Sequence, residues 1–200
     1  MLAYVFWHRP APRVAAGDYE RALERFHSSL AHRPPAGLRG SCTLRAEALP
    51  WLPDISGFSA GGYEDWYLLD SWEALGVLEE AAVASGHHDS HEALASHLGS
   101  GTASVYRSLE GELEPRSARL AVWVSRPLHH REREPDELLA DGLEPDSVAL
   151  WRRCLVLGPA PELCLLSAAT EIPAESGLAP TRLPAEWSAA PSGRQALSDG

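Results

Sequence analysis

The chain has 200 residues, 44% of them apolar, which is enough for one sizeable core or two small ones; 28 acidic and 17 basic side chains give a net charge of −11. That acidity argues against nucleic-acid or anionic-membrane partners, and no apolar run reaches the roughly 18 residues needed to span a bilayer. Every basic residue is an arginine, so neither a Schiff-base lysine nor a P-loop lysine is available.

Lysine and asparagine, both absent, have A-rich codons, which fits a GC-rich bacterial genome. The three cysteines, Cys42, Cys154 and Cys164, are odd in number and form no Cys-x-x-Cys pair, so a reduced cytoplasm is expected. The N-terminus enters a strand-like pattern with no basic segment ahead of it, and no signal peptide is expected.

Residues 2–9 are apolar on both alternating faces, as in a strand covered on both sides: Leu2, Tyr4 and Phe6 on one face, Ala3, Val5 and Trp7 on the other. His8 continues the Tyr4–Phe6 face at the strand end. Residues 18–31 space Tyr19, Ala22, Leu23, Phe26 and Leu30 as one apolar helix face, with Asp18 as the expected N-cap and Pro34-Pro35 as the stop. His27 falls on that face. Residues 38–48 alternate cleanly and read as a half-exposed strand near an edge, with Arg39, Ser41, Thr43, Arg45 and Glu47 facing outward. Residues 50–62 form a long loop whose Trp51, Ile55 and Phe58 suggest folding over an apolar surface.

A strand follows over 63–70, then a helix capped by Ser71 and stopped at Gly86. Asp89 and Glu92 have capping-box spacing for a second short helix, and a strand covers 102–109. The second half offers strands at 118–126, 147–157 and 162–168, with a short helix at 135–142. Beyond 169 the composition turns to Pro, Ala, Ser and Glu, as in an irregular tail.

The two halves echo one another. Tyr4–Pro10 ends in Arg-Pro, as does Leu120–Pro127, and Glu64–Asp70 resembles Glu162–Ser167. The fold class expected is α+β, with two ferredoxin-like β-α-β-β halves, the second degraded, and antiparallel sheets packed as a barrel or sandwich. The expected bounds are 1–112, 117–168 and a tail over 169–200. This order resembles the dimeric α+β-barrel superfamily, which includes EthD-like, antibiotic-biosynthesis-monooxygenase and chlorite-dismutase-like proteins. The resemblance implies a sheet–helix pocket for a small, largely apolar organic molecule and a homodimer as the assembly.

Function is less legible. Gly57-Phe58-Ser59-Ala60-Gly61 matches G-x-S-x-G, but a Pro-rich loop precedes it and a strand follows, which is the wrong context for a nucleophile elbow. The histidines at 87, 88, 91 and 97 lack a continuous helix that would align metal ligands, so no metal and no cofactor are expected. Glu64 and Asp65 lie on opposite strand faces, and one of them is expected to face solvent. The candidate proton-transfer residues are His8, His27, Tyr67 and His88; Arg9, Phe58, Trp66 and Trp7 are the candidate substrate contacts. The leading reading is a cofactor-independent oxygenase, isomerase or cyclase. The alternatives are a non-catalytic binding or dimerisation protein, and a haem protein with His27 or His91 as axial ligand.

Overall fold

The computed structural model describes residues 1–47, 49, 61–84, 86–124, 147–156, 160–171 and 181–182. Strand β1 (Leu2–Pro10) leads into helix α1 (Ala16–His32), β2 (Leu38–Ala46) and β3 (Gly62–Leu69). Helices α2 (Trp72–Val83) and α3 (His88–Ala95) precede β4 (Leu98–Gly111). The remaining strands are β5 (Leu120–Val124), β6 (Val148–Val156), β7 (Leu163–Ser167) and the short β8 (Thr181–Arg182).

The eight strands among the described residues form one sheet in the order β2-β3-β1-β4-β6-β7-β5-β8, and every neighbouring pair is antiparallel. Numbered within each half, the order is second, third, first, fourth, and then the same again. This is the ferredoxin-like arrangement written twice, joined where β4 pairs with β6. The expected helix at 135–142 lies outside the described residues.

The sheet curls on itself. In a flat sheet β1 and β5, four positions apart, would lie ~19 Å from one another at ~4.8 Å per strand. Instead the Trp7 and Trp123 rings sit 5.1 Å apart, centre to centre, and Trp66 of β3 meets Trp151 of β6 at 5.5 Å. The concave face buries these indoles with Tyr106, Leu44, Leu166, Cys42 and Cys164. Alanines at 3, 46, 118, 121, 149 and 160 leave room for them. The cover expected for the second sheet face is thus supplied within the chain. The convex face packs Leu2, Tyr67, Leu69 and Val105 against Phe26 and Leu30 of α1 and Ala74 and Leu78 of α2.

Local signals mostly decide the element ends. Ser71 caps α2 by accepting from the Ala74 amide. Two caps differ from expectation. Helix α1 starts after Ala15, and Asp18 lies in its first turn, where its charge suits the helix dipole. Helix α3 starts at His88 because the His87 and His88 amides already bond the Ala84 carbonyl, so Asp89 is inside the helix and makes no capping box. The edge position of β2 is as expected, and its polar face is half-exposed: Arg39, Arg45 and Glu47 reach solvent, whereas Ser41 and Thr43, expected to face outward, are buried beneath α1.

The junction of the two halves depends on Gly111, which has φ +79° and pairs with Ala149. A Cβ there would stand 2.1 Å from the Val148 carbonyl oxygen. Gly111→Ala is expected to lower unfolding stability by about 1–3 kcal/mol, read by urea denaturation. An unchanged midpoint would mean that the β4–β6 joint tolerates repacking.

Candidate active site

The β1–β3 register sets Phe6 opposite Asp65, which puts His8 diagonally beside that aspartate on the convex face. The β2–β3 register sets Thr43 opposite Asp65 and Ser41 opposite Tyr67. Helix α1 crosses above them and directs Tyr19, Phe26 and His27 downward from its buried face. Four elements therefore converge on one carboxylate that is 1% exposed.

Asp65 is enclosed by donors. Thr43 Oγ1 donates to Oδ1 at 2.6 Å, and the Tyr67 hydroxyl donates to Oδ2 at 3.1 Å. His8 Nε2 stands 3.2 Å from Oδ1 and His27 Nε2 stands 3.4 Å from Oδ2. Both imidazoles are off-line for well-aligned hydrogen bonds, so each ring N–H faces the carboxylate as an electrostatic contact. Burial alone would push the Asp65 carboxyl up; the electrostatic influence of the facing His8 and His27 outweighs it and holds the group well below the usual carboxylate range.

The ionised carboxylate fixes the imidazole tautomers. It only accepts, so each facing Nε2 carries its proton, and in the neutral ring Nδ1 is then the acceptor. His8 Nδ1 takes the Tyr19 hydroxyl at 2.7 Å, and His27 Nδ1 takes the Ser41 hydroxyl at 2.8 Å. Burial, reinforced by the Asp65 charge, raises the Tyr19 and Tyr67 phenols, which stay protonated as donors. The result is a buried Asp65–His8–Tyr19 chain in which a proton can move.

The chain ends in a cavity of about 210 Å³. His8, Tyr19, Asp65 and Tyr67 line its polar floor; Phe6, Phe26, Leu78, Leu94 and Leu98 are among its apolar walls. This pairing of a mostly apolar enclosure with converging polar groups is the usual form of a small-molecule site. A larger cavity of about 340 Å³ runs along the β2 edge past Trp66, Cys42, Arg39 and Arg116. Among the described residues it has no buried titratable cluster: Arg39 pairs with Asp70 and Arg116 with Glu114, all about half in solvent.

On the concave side of the same strand, Glu64 is fully buried. The expectation that one member of the Glu64–Asp65 pair faces solvent fails, because the curled sheet covers both of its faces. Trp7 Nε1 donates to Glu64 Oε2 at 3.0 Å. Burial pushes the Glu64 carboxyl up to about 7, although the Trp7, Trp66 and Trp123 indoles partly offset that rise.

Of the candidate residues, the structure brings His8, His27 and Tyr67 together around Asp65. His88 is exposed at the start of α3, outside this cluster. Trp7 and Trp66 belong to the concave core, so strand alternation keeps them from this cavity. Arg9 is buried on that opposite face as well, donating to the Gly61 carbonyl at 2.7 Å and the Leu49 carbonyl at 3.3 Å. Phe58 and most of the Gly57–Gly61 motif lie outside the described residues. Asp65, Tyr19, Thr43 and Ser41 were not among the sequence candidates. Joining the inward faces of β1 and β3 would have found Asp65.

Among the described residues, no three His, Cys, Asp or Glu side chains are placed to hold a metal ion. Haem does not fit this site. Both His27 ring nitrogens are engaged, by Ser41 and Asp65, which leaves neither free as an axial ligand. His91 stands at the cavity rim with its Nδ1 3.5 Å from Glu92.

No protein-family model and no curated protein sequence matches the chain. Solved structures do. An anthrone oxidase-like protein superposes with TM-score 0.53 at 10% identity, covering 98% of this chain and 96% of its own. A provisionally named monooxygenase from Lactobacillus acidophilus NCFM gives TM-score 0.49 at 13% identity over 95% of this chain and 96% of its own. A dimeric ferredoxin-like protein of unknown function from Bacteroides fragilis NCTC 9343 gives 0.37 at 11% identity, covering 53% of this chain and 94% of its own. No described helix is long and apolar enough to cross a membrane.

The opposite fates of Glu64 and Asp65 can be measured. Glu64 is raised in the folded state, so above its ordinary pKa the unfolded chain ionises first. Its contribution is full below pH 4.5 and is lost as pH rises to about 7. That loss is on the order of 3 kcal/mol. Glu64→Gln should flatten this part of the stability–pH curve in chemical denaturation. A curve of unchanged slope would show that Glu64 is ionised in the fold. By its architecture the chain has a ferredoxin-like α+β fold, its strand order repeated along one sheet.

Proposed function

We propose that the chain is an enzyme that binds a small, largely apolar, enolisable aromatic molecule in the 210 Å³ cavity and removes a proton from it. The observation that carries this reading is the Asp65–His8–Tyr19 chain ending at the cavity floor. The substrate's acidic C–H or O–H gives its proton to the Tyr19 oxygen as Tyr19 passes its own to His8 Nδ1. His8 becomes an imidazolium whose charge Asp65 balances at 3.2 Å. Tyr67 and Thr43 donate to Asp65 and keep it ionised, and His27, itself bonded to Ser41, faces it from the other side.

The resulting enolate is electron-rich, and the apolar walls of the cavity limit the water around it. Dioxygen as co-substrate would convert an activated methylene to a carbonyl, consuming one O2 and releasing one water. Similarity in fold to the anthrone oxidase-like protein supports this oxygenase branch. Isomerisation and cyclisation would begin with the same deprotonation.

Anthrone tests the reading in two stages. In deuterated buffer under nitrogen, the protein should speed exchange of the methylene hydrogens, followed by mass spectrometry. Under air it should form anthraquinone with matching oxygen uptake. Tyr19→Phe and His8→Gln should each lower the exchange rate by about 10²-fold or more, with binding retained. Exchange at the buffer rate, with anthrone bound, would leave a non-catalytic binding protein instead.

A further inference from the structure

The cavity is negative at both ends. Asp65 lies at the floor, and Glu79, an exposed residue of α2, lines the rim. Between them Tyr4 stands on the same β1 face as Phe6 and His8, its ring 5.8 Å from that of Tyr67. Burial first, then the charges of Glu79 and Asp65, push the Tyr4 hydroxyl up to about 12, so it remains a donor. The chain has no lysine, and among the described residues no arginine lines the cavity. His91 at the rim can become positive, but Glu92 already faces it at 3.5 Å.

Resting on the reading above, we infer that Glu79, together with Tyr4, sets the substrate class: an uncharged aromatic molecule with a hydroxyl at the end away from Asp65, to the exclusion of carboxylated analogues. A hydroxyl at the rim can donate to the Glu79 carboxylate and accept from Tyr4. A carboxylate there meets a like charge with no guanidinium or ammonium to balance it. The apolar walls between the two ends suit a flat ring system and offer no polar partners to a charged substituent.

Isothermal titration calorimetry of the full chain at pH 8, where histidine is mostly neutral, tests this with two rings of equal shape. The probes are 2,6-dihydroxynaphthalene and 6-hydroxy-2-naphthoate. The wild-type chain should bind the diol at least tenfold more tightly than the naphthoate. Glu79→Arg should shift that ratio at least tenfold toward the naphthoate, and Glu79→Gln should shift it in the same direction by less. Glu79 is exposed on α2, so neither substitution disturbs the core. Equal or tighter binding of the naphthoate by the wild-type chain, or a ratio unchanged in both variants, would overturn the specificity role while leaving the cavity as a binding site. Failure to bind either naphthalene would overturn the cavity reading along with it.

Discussion

The buried charge of Asp65 is the constraint around which the convex side of the molecule is arranged. An isolated carboxylate in such a place would cost several kcal/mol, so it survives only with its full complement of donors. Those donors come from β1, α1, β2 and β3, and each element must arrive in register for the charge to be tolerated. The same demand that fixes the packing also fixes the imidazole tautomers and leaves Tyr19 bonded to His8 at the cavity floor. Site geometry and fold specificity are therefore one requirement. Removing Asp65 would leave two buried imidazole N–H groups facing no anion and take away a large part of what locks α1 onto the sheet.

Glu64 shows what the same chemistry does in another setting. It is the sequence neighbour of Asp65 and equally buried, yet strand alternation turns it into a wall of indoles. Indole N–H groups stabilise its carboxylate only in part, so it gives up its proton only around neutrality, whereas Asp65 stays ionised. Two adjacent carboxyls separated in this way suit two roles, one a structural acid inside the curled sheet and one an anion that steers a proton. The curl makes both possible, because a flat sheet would have left one of these faces in water.

Much of the architecture was legible in the sequence because it rests on local periodicity. The double-faced apolar run of β1, the single apolar face of α1 and the echo between Tyr4–Pro10 and Leu120–Pro127 all report spacing along the chain. The sheet order repeats as the echo implies. His8 and His27 could be placed on inward faces for the same reason. Asp65 was not recognised, because its role depends on partners 57, 38 and 22 residues away, brought together only by strand register and the crossing of α1. Ser41 and Thr43 read as a solvent-facing row, since alternation alone cannot tell water from a helix lying overhead. Trp7, Trp66 and Arg9 read as ligand contacts for a related reason: a second apolar face can mean a pocket or a closed core, and only the curl of the sheet decides.

The central claim is that Asp65 is ionised inside the folded protein and held so by His8 and His27. Carboxyl 13C chemical shifts of Asp65, followed by NMR from neutral pH downward, test it most directly. The account predicts a shift typical of a carboxylate, unchanged through the range where ordinary aspartates titrate and altered only when acid unfolds the chain, because a depressed carboxyl contributes its stability above the usual aspartate pKa and loses it on acidification. A titration of Asp65 in the folded protein near pH 4 or above would contradict it. In that case the histidines would not be countering a buried anion, and the proton relay to Tyr19 would lose its basis.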